Sequence, residues 1–226
     1  MKNREISALL EQAHGYASEY LNDVDIRDVY PTDESIAGLG IFDEPLPVFG
    51  ADPKDTLDLL HTHGSPATVA QGGGRYFGFV NGGVHPPALA ARWLADVWDQ
   101  NSALYVMSPI AAKLESVCEH WLTALFRLPE ETAVGFVGGT SMSLVCGIAA
   151  ARSELLRRQG WDVVEQGLFG APDIRVVVGV QAHGAVLKTL SLLGLGRERV
   201  ETVPVDSQGA MIAAALPELD EKTLLI

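Results

Sequence analysis

From residue 133 onward, short β-branched runs alternate with longer stretches whose apolar residues recur at helical spacing. "AVGFV" reads as a short buried strand, and "SMSLVCGIAAARSELLRRQG" as a helix closed by Gly160. "DIRVVVGV" is again a strand, and "GAVLKTLSLLG" a helix closed by Gly194. "RVETVPVD" is a third strand, "GAMIAAALPEL" a short helix, and "TLLI" the opening of a further strand. Strand, helix, strand in that order dictates βαβ units and a mainly parallel sheet with flanking helices, an α/β fold. In such a sheet the strand C-termini gather at one edge, and ligands bind there.

The residues before this region have a different character. Ile6, Leu9, Leu10, Ala13, Ala17 and Leu21 mark an amphipathic helix over 5–21. Residues 22–51, with Pro31, Pro45, Pro47 and several acids, read as an extended connector that must lie on another surface. "PKDTLDLLHTHG" predicts a short helix ending at Gly64. Residues 70–87, "AQGGGRYFGFVNGGVHPP", read as a loop with local packing, because Tyr76, Phe77 and Phe79 alternate with small residues. Two helices follow, over 88–105 and 109–126, with Pro109 in the first turn of the second.

Charge narrows the partners. The 226 residues carry a formal net charge of -13, which repels nucleic-acid phosphates and anionic membrane surfaces. No run approaches eighteen apolar residues, and "MKNREISALLEQAHGYASEYL" lacks the apolar core of a signal peptide. The only cysteines, Cys118 and Cys146, lie in apolar runs and read as small core residues. A disulfide scaffold is excluded by count, and a cytoplasmic protein is expected.

Two stretches carry candidate chemistry. In "FVGGTSMS" a strand runs into Gly138 and Gly139, then the hydroxyls of Thr140 and Ser141 at a helix start. Free N–H groups and the helix dipole there suit an anion such as a phosphate. GxxxxGK[ST] and GxGxxG are both absent, and a plain capped helix competes evenly. In "VVVGVQAHGAVLKTL" His183 follows a strand and opens a helix, so it faces the same sheet edge. There it stacks on a flat cofactor or hydrogen-bonds a substrate; the competing reading is a local cap. "HTHG" offers His61 and His63 without a completing ligand set, so no metal site is expected. GxSxG is absent, which leaves a serine nucleophile unsupported. Trp98, Tyr105 and Met107 read as core or dimer contact.

"GGRYFGFVNGGVHPPALAARWLADVWDQNSALYVMSPIAAKLESVCEHWL", "GFVGGTSMSLVCGIAAAR" and "VVVGVQAHGAVLKTLSLLGLGRERVETVPVDSQGAM" resemble the group II pyridoxal-phosphate-dependent amino-acid decarboxylases. These fold type I enzymes include the aromatic-amino-acid and glutamate decarboxylases, and the likeness is strongest to bacterial aromatic-decarboxylase-like members. It runs from about "YLNDVDIRDVYP" to the end.

The resemblance implies roles at matching positions. Gly139, Thr140 and Ser141 match the turn that holds the phosphate of pyridoxal 5'-phosphate. His183 matches the histidine that stacks on its ring and serves catalysis. "RYFGFVNGG" matches the segment lining the substrate side, which makes Phe79 and Asn81 candidates. Gly73 and Gly74 stand where members commonly carry His-Pro. The family's ring-nitrogen aspartate lies beyond the strand that begins "TLLI", and its cofactor-binding lysine further on. Lys2, Lys54, Lys113, Lys188 and Lys222 all lack that context. The expected activity of the parent enzyme is therefore decarboxylation of an L-amino acid, aromatic or related, by a homodimer. Residues 1–65 form its dimer-contacting arm, and 66–226 the first part of its cofactor domain. The chain alone is expected to be inactive and part of something longer. Two alternatives remain open: another fold type I enzyme, aminotransferase-like, or a truncated non-catalytic dimerising homologue.

Overall fold

The computed structural model describes residues 2–226, which fall into two compact units that divide between Asn101 and Ser102. In the first unit, helix α1 (Lys2–Asp23) is followed by α2 (Asp33–Gly38), a 3-10 turn (Leu39–Phe42), α3 (Pro53–Leu59) and α4 (Pro86–Trp98). The region 22–51 is thus not wholly extended. Thr32 caps α2 by accepting the Ser35 N–H, and Asp33 and Glu34 occupy its first turn. Asp52 caps α3 in the same manner through the Lys54 N–H. A single π-type turn, Leu60–Gly64, carries His61 and His63 beyond α3.

Polar contacts bind α1 to this turn. The Tyr16 and His61 rings stack at 4.0 Å, and His61 Nε2 lies 3.4 Å from a Glu19 carboxylate oxygen. Ser65 Oγ approaches His61 Nδ1 at 3.2 Å, so protein groups engage both ring nitrogens. Gln12 donates to Asp58, as does the Tyr16 hydroxyl. Trp93 of α4 meets His14 of α1 edge to face. Between these helices lies a mainly apolar cavity of 780 Å³, lined in part by Leu57, Leu60, Leu89 and Trp93.

The second unit holds α5 (Pro109–Phe126), α6 (Thr140–Arg158), α7 (Val163–Gln166), β1 (Arg175–Gly179), α8 (Gly184–Leu192), β2 (Val200–Val203) and β3 (Thr223–Leu225). The strands pair in the order β2-β1-β3, both pairs parallel, with Val176 opposite Val200 and Leu224. Being central, β1 buries Val176, Val177 and Val178 on both faces, which is why the run is continuously apolar rather than alternating. Val176 and Val178 form one cluster with Ile148 of α6 and with Val186 and Leu190 of α8. Each fully buried Val or Leu there contributes roughly 1.5–3 kcal/mol.

Further sequence expectations change; the helix expected over 88–105 ends at Trp98, where Asp99 turns left-handed. "AVGFV" joins no sheet: among the described residues no strand pairs with it, and Phe136 and Val137 are exposed. "GAMIAAALPEL" forms one 3-10 turn, Ala213–Ala215, rather than a helix. Residues 204–212 double back instead, with a Val205–Met211 bridge, the Asp206 N–H on Ala210 O, and Gly209 at φ 83°. Cys146 is exposed and Cys118 only half-buried, so neither is a core residue. Tyr105, Met107 and Trp98 are exposed too, which excludes the core reading for them.

One ionic cluster spans the sheet. Arg175 on β1 makes two 2.9 Å bonds to Glu201 on β2, donates to Glu218 O, and sits 3.8 Å from Asp220 ahead of β3. The Arg175 hydrogen bonds pull Glu201 below its ordinary pKa of 4.5. Bonds from Thr223 first, then Lys222 and the Arg175 charge, lower Asp220. A depressed carboxylate stabilises the fold above its unfolded pKa and loses that contribution as pH falls through the folded value. Glu201→Gln is accordingly expected to lower the urea midpoint at pH 7 and leave it unchanged near pH 2. An equal loss at both pH values would show that the ion pair is not the cause.

Candidate functional site

Residues 138–141 join the unpaired segment "AVGFV" to α6. Gly139 precedes the helix in extended geometry, and no side chain caps the first turn. The N–H groups of Met142 and Ser143 both bond to Gly139 O, and the Ser143 hydroxyl donates to Thr140 O at 2.8 Å. The Thr140 and Ser141 hydroxyls and N–H groups find no partner among the described residues, and both residues are exposed. A Cβ built on Gly138 or Gly139 meets nothing within 4 Å, so the space beside the turn is open. Two hydroxyls and two N–H groups therefore stand without partners at the positive end of a 19-residue helix. That donor set fits a phosphate.

His183 caps α8. Its Nδ1 accepts the Ala185 N–H at 3.1 Å, which places the neutral ring's proton on Nε2. The residue is exposed, its Nδ1 is engaged by its own helix, and Nε2 has no partner among the described residues. The capping role read as the competing explanation is thus present, and it leaves Nε2 free.

The two helix starts lie at the same end of the unit. Leu144 near the start of α6, and Ala182 and Val186 at the start of α8, pack into the cluster built on β1. Arg152, about three turns into α6, reaches the carbonyl of Leu193 at the far end of α8 at 2.9 Å. Contact at both ends requires the helices to run the same way, so Thr140 and His183 share an edge. It is the edge to which β1 delivers the chain, through the turn after Gly179. Lys222 stands at the opposite edge, directly before β3, and Lys188 is exposed on α8.

A model of the pyridoxal-dependent decarboxylase conserved domain matches residues 66–223. The chain belongs to the pyridoxal-dependent decarboxylase family. Rice tryptophan decarboxylase 1 (Oryza sativa subsp. japonica) is 22% identical over 219 residues, covering 90% of this chain and 41% of that protein. Rat (Rattus norvegicus) cysteine sulfinic acid decarboxylase is 28% identical over 145 residues, covering 64% of this chain and 28% of its own length. The crystal structure of mouse CSAD superposes with a TM-score of 0.81 at 25% identity, over 92% of this chain and 43% of that one. The fold is that of the fold type I decarboxylases, and the chain spans less than half the length of these relatives.

Within this decarboxylase-family chain, Phe79 and Asn81 belong to the first unit and the turn and His183 to the second. Local packing was expected around the aromatics, yet Phe77 and Phe79 are 91% and 93% exposed. Only Tyr76 turns inward, and Asn81 donates to its hydroxyl at 3.1 Å. At Gly73 the backbone is approached closely by a distant segment of the chain. A Cβ on Gly73 would sit 2.7 Å from the Val24 carbonyl oxygen, and the Gly74 N–H is held by Asp25. No signal in the sequence marks that approach across some fifty residues. Among the described residues no helix is long and apolar enough to cross a membrane, and no group of three or more ligating side chains could hold a metal ion.

Proposed function

We propose that this chain forms the phosphate- and ring-holding part of a pyridoxal 5'-phosphate-dependent decarboxylase acting on an L-amino acid, aromatic or related. The observation that carries the reading is the pairing of two helix starts at one edge, one with unpartnered donors and one with an open imidazole, in a chain of this family. The amides and hydroxyls of Thr140 and Ser141 bind the phosphate, and the α6 dipole favours its charge. His183, fixed by its bond from Ala185, would offer its imidazole to the cofactor ring. When bound, the cofactor supplies the electron sink that lets carbon dioxide leave an amino acid. Phe79 and Asn81 line the substrate side.

The lysine that anchors the cofactor covalently is none of the five in this chain, so residues 1–226 do not decarboxylate on their own. The active species is a homodimer in which residues 1–65 pack on the partner and 66–226 begin the cofactor domain. Support comes from Leu46, Val48 and Phe49 in the connector, three neighbouring apolar side chains that are all nearly fully exposed and would gain by burial against a partner. The complete protein should sediment as a dimer at micromolar concentration and release one carbon dioxide per amine formed from an aromatic L-amino acid. A monomer, or transamination without carbon dioxide, would count against this reading.

A further inference from the structure

β1 ends at Gly179, and the chain reaches His183 through one tight turn. The Ala182 N–H returns to Gly179 O at 2.9 Å, and the Val180 N–H is held by Val203 O at 2.8 Å. After β2, residues 204–212 fold back as a short strap that its own bonds stiffen. The Ile212 N–H bonds to Pro204 O and the Asp206 N–H to Ala210 O. One Asp206 carboxylate oxygen accepts the N–H groups of Gln208 and Ala210 at 2.8 and 3.0 Å. The strap meets the turn at two points. A Cβ built on Gly179 would lie 3.2 Å from Met211 Cγ and 3.6 Å from its Sδ, so Met211 fills the place where any other residue at 179 would put its side chain. A Cβ built on Gly209 would lie 3.2 Å from the Gln181 side-chain oxygen, so Gln181 rests against the tip of the strap.

A stiff strap pressed on both ends of the stretch 179–181 fixes the residue that follows it. We propose that Met211 is a positioning residue for the cofactor ring: seated against Gly179, it sets the turn 179–183 and so the place where His183 presents its imidazole. The proposal rests on the reading that His183 serves that ring. Met211 is 38% exposed, so its removal empties a seat at the sheet edge rather than a core position. The phosphate turn at Thr140 and Ser141 hangs on α6, not on the strap. Ring and phosphate therefore respond differently to a change at Met211.

Met211→Ala empties the seat, and Met211→Leu refills most of it. The probe is pyridoxamine 5'-phosphate, which has the cofactor's ring and phosphate but an amine that does not condense with lysine. It is titrated by calorimetry into the complete protein freed of cofactor. Its affinity should fall roughly threefold in Met211→Ala and return to the parent value in Met211→Leu. Affinity for inorganic phosphate, which reports the Thr140 and Ser141 turn alone, should stay unchanged in both. In a His183→Asn background, Met211→Ala should weaken the probe no further, because its route to the ring is gone. The positioning role alone is overturned if His183→Asn weakens the probe and Met211→Ala does not. It is overturned equally if Met211→Ala weakens probe and phosphate alike, or if the two losses simply add in the double variant. A probe that is indifferent to His183→Asn, or does not bind, overturns the functional reading with it.

Discussion

A Thr140→Val, Ser141→Ala double variant is expected to bind pyridoxal 5'-phosphate about a hundredfold more weakly than the parent, with its urea midpoint nearly unchanged. Each hydroxyl bond to a charged phosphate is worth about 1.5–3 kcal/mol, and the backbone donors survive the change, so a combined loss near 3 kcal/mol is reasonable. Stability should move by no more than about 0.5 kcal/mol, because in the free chain these exposed hydroxyls hold nothing. The two readings of the turn separate here. A plain capped helix predicts no change in cofactor affinity, whereas a phosphate cradle predicts a large one. Spectral titration of the complete protein, set beside urea unfolding, decides between them.

The second large effect concerns His183, which has two duties that different substitutions divide. His183→Ala loses the cap on the Ala185 N–H and should cost about 1 kcal/mol of stability. Asparagine is among the best capping residues, so His183→Asn should restore the midpoint. Neither variant offers an aromatic face, and both should bind the cofactor roughly three- to tenfold more weakly, the worth of one stacked ring. His183→Phe reverses the pattern, retaining cofactor and losing the cap. If His183→Asn recovers stability and affinity together, the histidine is only a cap.

The central part of the fold was legible because it is local. β1 announces itself as a β-branched run, and α6 and α8 follow strand-to-helix signals at Gly139 and His183 that depend on no distant partner. Readings that depended on a neighbour fared differently. "AVGFV" has strand chemistry, but a strand exists only by pairing, and nothing among the described residues pairs with it. The helical composition of "GAMIAAALPEL" yields to the bonds that fold 204–212 back on itself. In the opposite sense, Thr32-Asp33-Glu34 is a helix start that the prolines of the connector obscured. At the site, residue types marked the turn and the imidazole. That His183 spends Nδ1 on its own helix, and that Gly73 is forced by the Val24 carbonyl, are properties of packing alone.

The central proposal is that this chain grips the cofactor without anchoring it. Lys188 is exposed on α8, Lys222 stands at the sheet edge away from His183, Lys54 lies in α3 and Lys113 in α5. A covalent anchor needs a lysine whose amine would meet the aldehyde of a ring held by the proposed phosphate turn and His183. The decisive measurement is borohydride reduction of residues 1–226 mixed with pyridoxal 5'-phosphate, followed by peptide mass spectrometry. The account predicts only scattered, substoichiometric lysine adducts, while equilibrium dialysis before reduction shows binding that Thr140→Val, Ser141→Ala weakens. One stoichiometric adduct at a single lysine, with carbon dioxide released from an added amino acid, would contradict it.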